Sequence, residues 1–187
     1  MGLARAGLLR DVLGSLVVVG AVALVAFGLP FIDRRLPDTR PIAADVPYQV
    51  GGGVSVDPPD AANLDVTRTR PGSDRGTALF LVRGVRVAVV VTPYDGDLAG
   101  ASSRLRHKIA RVGDARLADA EAPISTRGGV VGRQGRYTGP DRVGTYAVFI
   151  GDGRAAEVTA SGSDTDLAVL GPEFDAMVST LTFGSGP

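Results

Sequence analysis

The chain has no cysteine and no tryptophan, and it carries one histidine (His107) and one lysine (Lys108) among 187 residues. Without cysteine there is no disulfide staple, thiolate metal site or cysteine nucleophile. That absence does not fix the compartment, because a domain of ordinary size is stable without bridges. One histidine excludes a multi-histidine metal site. The common serine-nucleophile signatures, G-x-S-x-G and S-x-x-K, are missing as well. Excess charge of either sign is also lacking: 20 Lys and Arg face 20 Asp and Glu. With aromatics at 5%, nothing draws the chain toward nucleic acid. No repeat of fixed period is visible.

What is present begins with an apolar run. Val12–Ile32, "VLGSLVVVGAVALVAFGLPFI", holds 21 residues and no charge. About twenty apolar residues span a hydrocarbon core of roughly 30 Å. A cleaved signal peptide would have a shorter apolar region followed by a small-x-small site. Here Ala21-Val22-Ala23 lies inside the run, so the segment reads as an uncleaved single-pass anchor. The flanking arginines are nearly balanced: Arg5 and Arg10 before, Arg34, Arg35 and Arg40 after. A short N-terminal tail (1–11), one apolar segment (12–32) and then a long domain match a signal-anchor. That predicts a cytoplasmic N-terminus and an extracytoplasmic domain on the cell membrane. Residues 33–47 carry Pro37, Pro41 and Pro47 and read as an extended linker. The domain is expected over 48–183, with a tail at 184–187.

From Tyr48 onward the pattern is that of an α+β domain. "GGGVSVDPPD" gives a short strand around Gly53–Asp57, and Leu64–Thr69 a second. "TALFLVRGVRVAVVVTP" reads as a hairpin divided at Arg83-Gly84. Val85, Val87, Val89 and Val91 share one face there, and Arg86, Ala88, Val90 and Thr92 the other. Asp95 or Asp97 is placed to cap a helix in which Leu98, Ala101, Leu105, Ile109 and Val112 recur at helical spacing, with Gly113 at its end. Three strands are expected near Val130–Tyr137, Val143–Ile150 and Arg154–Ala160. A second helix, with Leu170, Phe174, Met177, Val178 and Leu181 on one side, is expected to start at Gly171-Pro172. Two helices packed on an antiparallel sheet make an α-β-α sandwich.

This order, from "VSVDPPD" through the hairpin and helix to "GRQGRYTG", "GTYAVFIGDGRAAEVTASG" and a closing "EFDAMVSTLTF", resembles the PsbP-like α-β-α sandwich. That fold occurs in photosystem II extrinsic proteins and in actinobacterial lipoproteins of the LpqN type. The likeness spans roughly Tyr48–Phe183 and rests on element order and hydrophobic pattern. Members often carry an aromatic after the early proline, where this chain has Asp60-Ala61-Ala62-Asn63. The resemblance implies a binding or accessory module more than an enzyme.

Several motifs invite chemistry and do not support it. Gly151-Asp152-Gly153-Arg154-Ala155-Ala156 has the spacing of a dinucleotide fingerprint. It is followed by the alternating Glu157-Val158-Thr159-Ala160 instead of a helix, so it reads as a hairpin turn. Gly128, Gly129, Gly132, Gly135 and Gly139 lack the G-K-[ST] ending of a P-loop. Asp95–Gly100, "DGDLAG", begins like a calcium loop but places Arg106 where a bidentate Glu is needed. No cofactor and no metal site is expected, and no catalytic residue is assigned. Asp57, Asp60 and Asp65, or Asp164 and Asp166, could form a carboxylate pair, though such residues are commonly solvated.

One surface pattern stands out. Arg104, His107, Lys108 and Arg111 recur at i, i+3, i+4 and i+7, a basic stripe on the expected outer face of the first helix. Anionic headgroups, an acidic wall polymer or an acidic protein would suit it. Its simpler role is a solvated face whose last-turn cations complement the helix dipole. The functional expectation is therefore a membrane-anchored extracytoplasmic binding or accessory domain. Its partner would be an envelope protein, a lipid or a wall polymer. The alternatives are a carboxylate-dependent envelope hydrolase and a structural subunit docking through its transmembrane helix. Converging carboxylates in a pocket would favour the enzyme; a shallow apolar cleft between helix and sheet would favour binding.

Overall fold

A computed structural model describes residues 38–43, 46–111, 115–140 and 142–184. The apolar segment Val12–Ile32 lies outside them, as does most of the linker before Thr39. Among the described residues no helix is long and apolar enough to cross a membrane.

In chain order the elements are β1 (Thr39–Pro41), β2 (Tyr48–Gly51), β3 (Val54–Val56), β4 (Asn63–Asp65), β5 (Gly76–Val82) and β6 (Val85–Pro93). Helix α1 (Leu98–Arg111) follows, then β7 (Arg116–Leu117), β8 (Ala122–Ser125), β9 (Val131–Thr138), β10 (Val143–Gly151) and β11 (Arg154–Gly162). Helix α2 (Asp164–Ser179) and β12 (Thr182–Phe183) come last among the described residues. The fold class is α+β: among the described residues there are two helices and an extensive antiparallel sheet. The main sheet runs β1-β4-β5-β6-β11-β10-β9, and β9 pairs on its outer side with both β7 and β8. A second, three-stranded sheet has the order β12-β3-β2.

Strand alternation divides the main sheet into two working faces. Val85, Val87, Val89 and Val91 of β6 are fully buried, as are Ala147 and Phe149 of β10 and Val158 and Ala160 of β11. They pack with Leu170, Phe174, Met177 and Val178 of α2 and with Val54 and Val56 of the small sheet in one apolar core. Tyr48 meets Phe80 edge-on there, with ring centroids 5.5 Å apart. The intervening residues look the other way: Tyr146, Val148 and Ala155 pack under Ala101, Leu105 and Ile109 of α1.

Two hairpins have two-residue turns with both residues at positive φ. Arg83-Gly84 (46° and 84°) joins β5 to β6, and Asp152-Gly153 (49° and 69°) joins β10 to β11. Such turns match the twist of the strands they connect. The fingerprint-like glycines are thus a turn, and Glu157-Val158-Thr159-Ala160 continues as β11. The same holds for "DGDLAG": Asp97 caps α1, its Oδ1 accepting from the Gly100 N–H at 2.7 Å.

Several expectations need correction: the strand expected over Leu64–Thr69 is Asn63–Asp65 followed by a turn, and Leu181 lies past the end of α2. Helix α2 begins at Asp164, not at Gly171-Pro172. Ser163 is its N-cap: its Oγ accepts from the Asp166 N–H at 3.1 Å and donates to the Asp166 carboxylate at 2.6 Å. This reciprocal cap outweighs the single backbone bond that Pro172 forgoes inside the helix. In addition, Thr39–Pro41, read as linker, forms β1 and pairs with β4. Proline has no N–H to offer a sheet interior, and an edge strand is where it is tolerated.

Candidate functional site

The largest departure from expectation lies in the basic stripe of α1. Arg104 and Lys108 do not stand on the outer face. They lean over the side of the helix onto Glu157 of β11, whose side chain is only 5% exposed. The Lys108 ammonium donates to both carboxylate oxygens, at 3.0 and 2.8 Å. Arg104 donates to Glu157 Oε1 and to Thr92 Oγ1, both at 3.3 Å, and its guanidinium lies 4.6 Å from the Tyr94 ring centroid. A buried carboxylate is costly unless paired, and here two cations from one helix turn supply the pairing. His107 and Arg111 remain exposed. The structure thus brings Arg104 and Lys108 together and leaves the other two apart from them.

Beside this ion cluster a cleft opens between α1 and the sheet. Its volume is about 280 Å³, and it is lined by Val90, Leu105, Lys108, Ile109, Tyr137, Glu157 and Thr159. Val90 and Glu157 are register partners on β6 and β11, so the floor is continuous sheet. Leu105 and Ile109 form the helix wall. Tyr137 is seated because its cross-strand partner is Gly144: a Cβ there would strike the tyrosine ring. Gly135 stands in the same way opposite Tyr146, and Gly132 opposite Phe149. Of the glycines that do not form a P-loop, Gly132 and Gly135 therefore have a packing role, as does Gly144: each admits one aromatic ring. Burial pushes the Tyr137 hydroxyl above its ordinary pKa.

On the far side of α1 is a second polar cluster. The buried Tyr146 hydroxyl donates to Glu121 Oε1 at 2.8 Å and accepts from Arg106 at 2.9 Å. Ser102 also donates to Glu121, and Arg133 lies 3.5 Å from its other oxygen. Burial pushes Glu121 upward, but the hydrogen bonds from Ser102 and Tyr146 and the charge of Arg106 hold it below the usual carboxylate range. Burial, reinforced by the hydrogen bond to Glu121, pushes Tyr146 up to about 12. These groups fasten α1, through both its flanks, to β9–β11.

Of the candidate carboxylates, Asp57 and Asp60 are brought to one cleft and the others lie apart from them. Asp65 accepts from the Thr67 hydroxyl at 2.7 Å and from the Thr67 and Arg68 N–H groups, both at 3.0 Å. The Thr67 hydroxyl leads in holding its pKa low. Asp164 and Asp166 belong to the first turn of α2. Asp57 and Asp60, with Glu173 and Arg127, border a separate polar cleft of about 220 Å³ beside α2. Among the described residues no group of three or more His, Asp or Glu could hold a metal ion. Sequence reasoning missed Glu157, although a carboxylate inside the alternating run "RAAEVTAS" signals a charge on a half-covered sheet face. Glu121 gave no such signal, because its partners come from three other elements.

A domain with one helix on each face of an antiparallel sheet, and a cleft beside one of them, belongs to a recognisable class of architecture. No protein-family model matches the chain, and neither does any curated protein sequence. Its structure is similar to the solution structure of cyanobacterial PsbP from Synechocystis sp. PCC 6803. The TM-score is 0.52 and the identity 15%, over 76% of this chain and 98% of that one. A protein of unknown function from Pseudomonas aeruginosa is also similar, at a TM-score of 0.45 and 16% identity, over 70% of this chain and 97% of its own. The fold is PsbP-like.

Proposed function

We propose that this protein is a single-pass, membrane-anchored binding module. Its folded domain would lie outside the cytoplasm, and its ligand site would be the cleft between α1 and the sheet. The observation that carries the reading is the cleft itself. It joins an apolar floor and wall (Val90, Leu105, Ile109) to a few fixed polar groups (Glu157, Lys108, Tyr137, Thr159), the usual make-up of a small-molecule site. Its volume is near the lower end of the roughly 300–1,000 Å³ typical of such sites. A single chain or ring system would fit; a folded partner would not. The anchor rests on Val12–Ile32, and the domain's side of the membrane on the short N-terminal tail.

The ligand test is native mass spectrometry of the full chain released from its membrane. We expect a co-purifying small molecule on the native chain and none on Thr159→Phe, which fills the cleft. The variant should keep the same thermal midpoint. A native chain that carries no adduct, and that no small apolar compound stabilises, would sink the binding reading. The anchor is tested separately. Because the chain lacks cysteine, a single Ser55→Cys or Gly2→Cys variant can be labelled in intact cells with an impermeant maleimide. We expect only position 55 to react.

A further inference from the structure

The ion cluster beside the cleft is short of acceptors and not of donors. Among the described residues that line the cleft, Glu157 is the one acid, and its oxygens are already engaged. Oε1 accepts from both Arg104 and Lys108, and Oε2 accepts from Lys108. Two cations on one carboxylate leave one positive charge without a counter-charge. An ammonium has three N–H groups. Lys108 gives two of them to Glu157 and, being half exposed, keeps the third for another acceptor. Arg104 Nε is buried with no hydrogen-bond partner at all. The sheet floor carries the same sign further. On the α1 face β11 presents Glu157, Thr159 and Ser161, whose register partners on β6 are Val90, Ala88 and Arg86. Arg86 is exposed at that end. The Tyr137 hydroxyl, raised by burial, feels the opposing charge of Arg142. The cleft therefore has an apolar middle and cations toward both ends.

Charge and volume together select the ligand. An amine entering the cleft meets the Lys108 ammonium and a carboxylate that already accepts three hydrogen bonds. A wholly apolar molecule strips water from Lys108 and returns nothing for it. A carboxylate supplies the missing acceptor through a charge-assisted hydrogen bond and cancels the surplus charge. The cavity of about 280 Å³ limits the rest of the molecule to one ring or a short chain. We infer that the cleft takes a compact apolar monocarboxylate, with its body on Val90, Leu105 and Ile109 and its carboxylate on the free N–H of Lys108. Lys108 then bridges two carboxylates, one fixed in the sheet and one brought by the ligand. This inference deepens the cleft reading and rests on it; it does not depend on the membrane anchor.

The test uses the full chain in detergent micelles and three probes with one body and different heads: phenylbutyrate, phenylbutanol and phenylbutylamine. Binding is read from the probes' NMR shifts, with micelles alone as the reference. We expect the carboxylate to bind about tenfold more tightly than the alcohol, and the amine to bind most weakly. Lys108→Met should still bind the alcohol and lose the preference for the carboxylate. On the native chain that preference should shrink near about 1 M salt, where the Debye length is about 3 Å. An alcohol that binds as well as the carboxylate, an amine that binds best, or a preference untouched by salt overturns this inference and leaves the cleft reading standing. A preference that survives in Lys108→Met overturns it too. Should that variant bind no probe, the salt series on the native chain decides alone. If the native chain binds none of the three, this inference falls and the co-purification test decides the cleft reading separately. Probes that bind Thr159→Phe as they bind the native chain lie outside the cleft, which overturns both.

Discussion

On the α2 side the main sheet presents Val87, Val89, Ala147, Phe149, Val158 and Ala160, each fully buried. On the α1 side the intervening residues of the same strands include Arg86, Thr92, Tyr146, Glu157 and Thr159. One side is a dry core closed by a helix and a small sheet. The other is a thinner apolar layer threaded by two ion clusters and flanked by an open cleft. Period-2 alternation lets one strand serve both purposes without compromise. A dry apolar layer contributes the driving force for folding. A layer with paired buried charges contributes little net stability and has to be held in register by good geometry. The dry core and the buried charges are thus separated by the thickness of one sheet.

The contrast is sharpest in truncations. Phe149→Ala removes a fully buried ring from the dry side and should cost about 3–5 kcal/mol. Leu105→Ala, on the cleft wall, should cost nearer 2 kcal/mol, because a site already open on one side is relieved of less packing. Urea denaturation of the two variants measures the difference. Equal costs would mean that the two faces share the stability evenly.

The ion cluster gives the next effect. Glu157 is 5% exposed on its side chain, whereas Lys108 is 50% and Arg104 38% exposed. Removing a cation strands a buried charge, while removing the carboxylate lets two half-exposed cations turn to water. Lys108→Met should therefore destabilise by about 2 kcal/mol and Glu157→Gln by about 1 kcal/mol, both below the cost of breaking a fully buried pair. The reverse order would show that Glu157 is not the group in need of compensation.

The sequence made the dry side legible and the wet side much less so. Both faces of β6 could be read from its alternating valines. The inward residues of α2 could be read from their helical spacing even though its start could not. Proline at a helix start is a frequent signal, and Ser163 with Asp166 is a stronger one further upstream. The order of elements carried the PsbP-like fold. The ion cluster beside the cleft was not legible, because it depends on Arg104 and Lys108 leaning off the crest of α1 onto Glu157. Helical periodicity places a Cα on a face and leaves a long, flexible side chain free to reach a neighbour. Glu121 is the extreme case: Ser102, Arg133 and Tyr146 are distant in sequence and meet it only in the folded chain.

The α1 side should also be the side that responds to pH. Glu121 is held below its ordinary range, so its stabilising share is present above the unfolded carboxylate pKa. That share is lost as pH falls through the lower, folded value. Tyr146 is raised from 10.0 to about 12, so its share is intact below pH 10 and is lost as pH rises through about 12. Two pKa units correspond to roughly 2–3 kcal/mol at most, so alkali should loosen α1 by an amount comparable to losing Lys108. Tyr146→Phe should flatten the alkaline limb of stability against pH. Amide exchange near pH 11 should rise in α1 before it rises in α2. Simultaneous opening of both helices would break the proposed separation.

The smallest effect expected belongs to the hairpin that joins the two central strands. Gly153 has φ 69° and nothing within 4 Å of where a Cβ would stand, so its role is conformational alone. Gly153→Ala should cost about 1 kcal/mol, the ordinary penalty for an L-residue in the left-handed region. Gly153→Asn should recover most of that, since asparagine tolerates this region. Gly151 differs: its φ is not positive, and the constraint there is the Phe183 ring that a Cβ would meet. Gly151→Ala is therefore relieved by Phe183→Leu, whereas Gly153→Ala is not. Thermal midpoints of the two single variants and of the double variant Gly151→Ala/Phe183→Leu decide between the causes. Because the turn serves both faces equally, neither change should alter the order of costs between Phe149 and Leu105.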